Sequence, residues 1–183
     1  MTRKEERTNN AVAYAFQAFK NSFSCSESSF AGLLMEFCPG LSEEEKSRLI
    51  SIDSMMMGLG GRGETCGVVQ GPMHFLGLIY GKDLTKEPHT MEQLSADFAD
   101  MAVIAKYASR MKKHFGSTNC SAIHPQVMGR YYDLSDLQEN ARFHSEGADV
   151  NCKKVIEYGI RTACDLFLNE DGSFKGKNGM TEL

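Results

Sequence analysis

The chain has 183 residues, a formal net charge of −4, 42% hydrophobic and 24% charged residues. That is the balance of a soluble globular protein. It gives no electrostatic reason for nucleic acid or an anionic membrane as partner. The length fits one domain that buries a core without staples, and no apolar run is long enough to span a bilayer.

The charged start MTRKEERTNN has no apolar segment of a signal peptide, so the expected location is cytoplasmic. Ala11, Ala15, Phe16, Phe19 and Phe23 recur at helical steps, which places a first helix from Asn10 to Phe23. Ser24 and Glu27 have capping-box spacing, making Cys25 the first residue of a second helix. That helix carries Phe30, Leu33, Leu34 and Phe37 and stops at Cys38-Pro39-Gly40. A second capping box, Ser42 with Glu45, opens a third helix through Leu49 and Ile50, with Leu41 placed as a hydrophobic staple.

A glycine-rich loop follows, with Gly58, Gly60, Gly61 and Gly63, and runs into a fourth helix beginning near Glu64. Cys66 is expected in its first turn, and Gly71-Pro72 is expected to kink or split it. Lys82 to His89 reads as a polar loop. Thr90 and Gln93 form a third capping box before the long helix to Phe115, whose Leu94, Phe98, Met101, Ile104, Ala105, Ala108 and Met111 keep one face apolar.

Gly116 ends it, and Thr118 or Asn119 caps a new start at Cys120. His124 to Gly147 reads as irregular, with a short helix around Asp136 to Phe143. Asp149 is the expected N-cap of the last helix, which carries Cys152, Val155, Ile156, Ile160, Ala163, Cys164 and Phe167. Residues 169–183 read as a loose polar tail. No two-residue alternation persists, so the expectation is an all-α, single-domain bundle of about six to seven helices with an ordered core over residues 10–168.

Six cysteines in a reducing compartment point to metal binding or thiol chemistry rather than structural disulfides. Cys25, Cys66, Cys120 and Cys152 each follow a capping residue by one to three positions. Unpaired N–H groups and the helix dipole stabilise a thiolate there. Converging helix starts would build an electropositive pocket for thiolates, a metal or an iron–sulfur cluster. Cys164, on an apolar face, and Cys38, at a helix end, read as packing residues. His124, four residues after Cys120, is a candidate ligand or acid–base group; His74, His89, His114 and His144 read as surface or core.

Two motif matches in the glycine loop fail on context. Gly58-x-Gly60-x-x-Gly63 fits the dinucleotide fingerprint, and Gly58 to Thr65 fits a phosphate loop except at Glu64, where lysine is required. A glutamate repels phosphate, and helices rather than a buried strand precede the loop.

Phe23-Ser24-Cys25-Ser26, the segment Gly63-Glu64-Thr65-Cys66-Gly67-Val68-Val69-Gln70-Gly71, Phe115-Gly116-Ser117-Thr118-Asn119-Cys120 and Asn151-Cys152 resemble the four-cysteine family C-GCAxxG-C-C, described as redox-active. The sequence departs at Val68, where the family motif has alanine. The resemblance implies that Cys25, Cys66, Cys120 and Cys152 are the functional set. Through a related domain of split-Soret cytochromes it also implies a non-haem iron–sulfur centre. Covalent haem is not expected, because the chain has no CxxCH segment.

The leading expectation is a redox protein whose Cys25, Cys66, Cys120 and Cys152 bind an iron–sulfur cluster, most simply [2Fe–2S], for electron transfer to a redox partner protein. Gly60, Gly61 and Gly63 would let backbone amides approach it. The alternatives are a metal-free thiol–disulfide protein with Cys66 as attacking thiolate, a closed zinc site, and a structural or partner-binding bundle. A homodimer, with or without a shared site, is left open.

Overall fold

A computed structural model describes residues 1–21, 23–81 and 90–175 of the chain. The first helix, α1 (Arg3–Lys20), starts well before Asn10 because Thr2 caps it: the Thr2 hydroxyl accepts from the Glu5 N–H, and the Glu5 carboxylate accepts from the Thr2 N–H. It closes on Asn21 rather than reaching Phe23. The capping boxes at Ser24 and Ser42 are both formed, and they open α2 (Cys25–Phe37) and α3 (Glu43–Ser51).

The glycine loop contains a single turn, α4 (Gly58–Gly61), whose Leu59 and Gly60 take φ of 43° and 70°. Then come α5 (Gly67–Tyr80), α6 (Met91–Phe115), α7 (Cys120–Met128), α8 (Leu137–Ser145) and α9 (Ala148–Phe167). Among the described residues the protein is all-α, with two isolated β-bridges, Thr65 with Asn119 and Leu168 with Phe174. The excess over about six to seven expected helices includes the single turn α4, too short for a period to be read, whereas α8 lies where a short helix is expected around Asp136 to Phe143.

Pro72 does not split α5, which runs unbroken from Gly67 to Tyr80. A proline here removes the N–H that would bond the carbonyl four residues back, that of Val68. Tyr107, fully buried on α6, donates its hydroxyl to that carbonyl at 2.6 Å. The orphaned acceptor is thereby satisfied from outside the helix.

The core is organised on α2. It packs along α1 on one side and α5 on the other, and α9 closes over all three. Phe37, Phe75 and Phe167 meet at its centre, with Phe37 edge-on to Phe167 at 4.9 Å between centroids. The α2–α5 crossing is close because two glycines face it: a Cβ at Gly67 would lie 2.7 Å from the Ser26 nitrogen, and one at Gly71 2.5 Å from the Ser26 carbonyl oxygen. Val68 is accommodated in the same way, since a Cβ at Gly159 of α9 would meet its side chain at 2.4 Å.

Residues 169–175 are not loose. After α9 the chain turns back, Asn169 donating to the Ser173 carbonyl at 2.8 Å and Lys175 to that of Phe167 at 2.7 Å. The turn carries Phe174 onto the rings of Phe37 and Phe167. The rest of the expected tail, 176–183, and the expected polar loop Lys82 to His89 lie outside the described residues. Among the described residues no helix is long and apolar enough to cross a membrane.

Candidate functional site

Cys66 and Cys120 are brought together by main-chain hydrogen bonds. The Cys66 N–H donates to the Thr118 carbonyl at 2.8 Å, and the Cys120 N–H to that of Glu64 at 2.9 Å, around the bridge between Thr65 and Asn119. Side chains alternate along such a pair, so Cys66 and Cys120, each one residue beyond the bridge, project to its same face. Gly58 adopts φ +56° beside them, and a Cβ there would stand 3.4 Å from the Cys120 sulfur.

Cys25 reaches Cys66 by the glycine crossing. Gly67, directly after Cys66, lies so near the start of α2 that a Cβ on it would sit 2.6 Å from the Cys25 sulfur. The small residue after the motif cysteine is thus a packing requirement. Cys25 and Cys120 are the first residues of α2 and α7, and Cys66 is the N-cap of α5. For Cys120 the cap is Asn119.

Cys152 corrects the expectation. The N-cap of α9 is Gly147, at φ 100°, rather than Asp149. The helix therefore starts earlier, and Cys152 lies beyond its first turn, where N–H groups are already spent inside the helix. It still faces the others. Cys25, Cys66, Cys120 and Cys152 line one cavity of about 640 Å³, and all four are free thiols.

The sulfurs differ in charge. Cys66 is held well below the ordinary thiol range, first by a hydrogen bond from Cys120, then by one from Cys25, with the Val68 N–H and the His124 ring adding to it and burial opposing. Cys25 and Cys120 are held well above, first because each keeps its proton in a hydrogen-bonding interaction with Cys66 and then because each is buried. Burial pushes Cys152 up to about 12, and the charge on Cys66 adds to that. The site thus favours ionisation of Cys66 over that of Cys25, Cys120 and Cys152, which line the same cavity. Cys38 and Cys164 are packing residues of the core, raised by burial to about 11 and about 12.

The glycines expected to present amides differ in their surroundings. Gly61 packs on the backbone of Leu134 and Ser135, Gly63 packs on the Tyr131 ring, and a Cβ at Gly60 would meet no heavy atom within 4 Å. Gly58 is the loop glycine set against a cysteine. His124 is buried among Tyr131, Tyr132 and Phe143, faces the cavity, and has an Nδ1 with no hydrogen-bond partner. Burial lowers its pKa and the charge on Cys66 raises it. Of the other histidines, His114 stacks on Tyr158, His144 lies 3.6 Å from Asp149, and His89 is outside the described residues.

One buried group carried no sequence signal. Asp53, fully buried after α3, accepts from the Ser26 hydroxyl at 3.0 Å and bonds His74 Nδ1 at 2.8 Å. It ties the loop before α4 to the residue following Cys25 and to α5. Gln70 fastens the same loop, donating to the carbonyls of Met56 at 2.8 Å and Thr65 at 2.5 Å. Apart from Thr65, five residues from Gln70, these partners are distant in sequence, so no local pattern announces them.

Four thiols on one cavity are the donor set that iron–sulfur clusters use. Among the described residues, however, no three or more His, Cys, Asp or Glu side chains form a group able to hold a metal ion as they stand.

Fold and site together define a protein that is all-α among the described residues, with three cysteines from helix starts and Cys152 from the second turn of α9 lining one cavity. The chain belongs to the family described as "Putative redox-active protein (C_GCAxxG_C_C)", whose model matches residues 23–166. No curated protein and no solved structure matches it.

Proposed function

We propose that the protein is a thiol–disulfide redox protein of the reducing cytoplasm, in which Cys66 is the resident thiolate and Cys120 or Cys25 its disulfide partner. The observation that carries this is the convergence of three cysteines: the Thr65–Asn119 bridge sets Cys66 and Cys120 on one face, and the glycine crossing brings Cys25 against the residue after Cys66. A thiolate is the attacking species in thiol–disulfide exchange, and here two cysteines able to resolve a mixed disulfide line the same cavity as Cys66. Cys66 attacks a disulfide sulfur, and the S–S bond breaks with its electron pair on the departing sulfur. A neighbouring thiolate then attacks Cys66 and releases the second sulfur. The protein loses two electrons and the substrate disulfide becomes two thiols.

The test is oxidation of the reduced protein with diamide, followed by peptide mass mapping. A Cys66–Cys120 or Cys66–Cys25 link, absent in Cys66→Ser, is the expected result. Full oxidation elsewhere with Cys66 left free would overturn the reading.

A second reading is favoured by Cys152, which faces the same cavity but gives no hydrogen bond to Cys66. A two-cysteine couple does not need it. As ligands of a cluster, Cys25, Cys66, Cys120 and Cys152 would supply the four sulfurs of a [2Fe–2S] centre, which adds one-electron transfer when bound. Iron and acid-labile sulfide in matching amounts after anaerobic purification would support this reading. Their absence after attempted reconstitution would remove it.

A further inference from the structure

Access to the thiolate is restricted. Cys66 is 5% exposed, Cys120 3% and Cys152 8%, so a disulfide on a folded protein surface cannot reach them. The way in is the cavity of about 640 Å³, which is far larger than the thiols themselves require. Such a volume is in the range that encloses a small organic molecule. Its walls away from the sulfurs are mainly apolar and include Phe23, Met57, Ile123, Leu134, Phe143 and Val155.

Lys20 and Lys153 on its lining are matched by Glu27 and Asp149, and the Cys66 thiolate leaves no positive excess to attract an anion. Lys153 also lies over the Phe16 ring at 5.7 Å, and His144 stands 3.6 Å from Asp149. An anionic or multiply charged substrate would therefore lose its hydration with no net opposite charge to receive it. An uncharged one with an apolar body loses little water and buries apolar surface.

We propose that the substrate is an uncharged, low-molecular-mass disulfide with an apolar body, bound inside this cavity. The proposal rests on the thiol–disulfide reading of Cys66. The Cys66 thiolate attacks one sulfur, the S–S bond breaks, and the departing sulfur takes the proton of the Cys120 thiol. The Cys120 thiolate so formed attacks the Cys66 sulfur and closes Cys66–Cys120. The second substrate sulfur leaves with the electron pair and takes a proton from water. Protein dithiol becomes disulfide and substrate disulfide becomes two thiols, a two-electron exchange needing no further reactant.

The experiment uses the full-length reduced protein with three probes: lipoamide, oxidised glutathione and insulin, each rate normalised to that of free cysteine with the same probe. Lipoamide is expected to oxidise the protein at least about tenfold faster than oxidised glutathione, with insulin slower still, because the charged and macromolecular probes cannot enter without lost hydration. Leu134→Trp, which fills the cavity, is expected to slow lipoamide at least about fivefold. Met57→Trp, on the loop wall, serves as a second filling variant, and thermal melting verifies that each is folded. Equal normalised rates for lipoamide and oxidised glutathione, or parental lipoamide rates in a folded filling variant, overturn the proposal. If diamide forms a Cys66 disulfide in that same protein, only the substrate class falls. If diamide forms none, the thiol–disulfide reading falls with it.

Discussion

The Tyr107 hydroxyl donates to the Val68 carbonyl at 2.6 Å, the carbonyl that Pro72 leaves without its helical partner. Val68 is two residues past Cys66, so this bond holds the first turn of α5 in regular geometry where that turn supports the thiolate. Tyr107→Phe keeps the ring and strands a buried acceptor. Chemical denaturation should show a loss of about 1–3 kcal/mol, and a loss below about 0.5 kcal/mol would mean that water satisfies the carbonyl.

Gly67 is the tightest point between Cys25 and the helix of Cys66. Gly67→Ala places a methyl 2.6 Å from the Cys25 sulfur and 2.7 Å from the Ser26 nitrogen, so α2 must shift. The expected cost is about 1–3 kcal/mol, typical of overpacking, with slower Cys66–Cys25 disulfide formation. Gly71→Ala crowds the Ser26 carbonyl at 2.5 Å and should cost similar stability. It lies a turn farther from the sulfurs and should leave the thiol chemistry less changed. Denaturation and disulfide mapping on both variants separate packing from chemistry.

The pH dependence of alkylation reports the Cys66 thiolate directly. A small reagent such as iodoacetamide should label Cys66 with a midpoint well below the ordinary thiol value of about 8.5, because Cys120 and Cys25 donate to it. Cys120→Ala removes the larger of those two bonds, and the midpoint should move upward. A depressed folded-state value means that the stability contributed by ionised Cys66 is present above the unfolded value and lost as pH falls through the folded one. An unmoved midpoint in Cys120→Ala would assign the thiolate to other causes.

Asp53 and His74 carry the opposite sign. The bond to Asp53 raises the His74 pKa, against partial desolvation. Its stabilisation is fully present below the unfolded value of about 6.5 and is lost as pH rises through the raised folded value. The stability difference between the parent and His74→Gln should therefore shrink from pH 6 toward pH 8. A difference independent of pH would show that the ring packs on Phe30 without holding a charge.

Local chemistry was legible in the chain, and long-range assembly was not. Ser24 with Glu27 and Ser42 with Glu45 lie within one turn of each other, so their spacing fixed the starts of α2 and α3 and placed Cys25 at the head of a helix. Thr2 with Glu5 has the same spacing but no apolar run beside it to draw the eye. The start of α9 was misjudged because Asp149 is the usual capping type, whereas the cap is made by the left-handed backbone of Gly147. What brought Cys66 to Cys120 was a bridge between Thr65 and Asn119, a pairing too short to leave an alternating pattern. Asp53 was silent because the partners of its side chain, Ser26 and His74, come from other segments.

That bridge has a thermodynamic reach beyond the cavity. It joins the two ends of a segment containing α5 and α6, and reduced protein holds them with no covalent link. Linking Cys66 to Cys120 would close the same segment into a covalent ring. A loop of that length removes on the order of 4 kcal/mol of unfolded-chain entropy. The melting temperature would then follow the oxidation state, so the fold itself would register whether the protein last gave or took electrons.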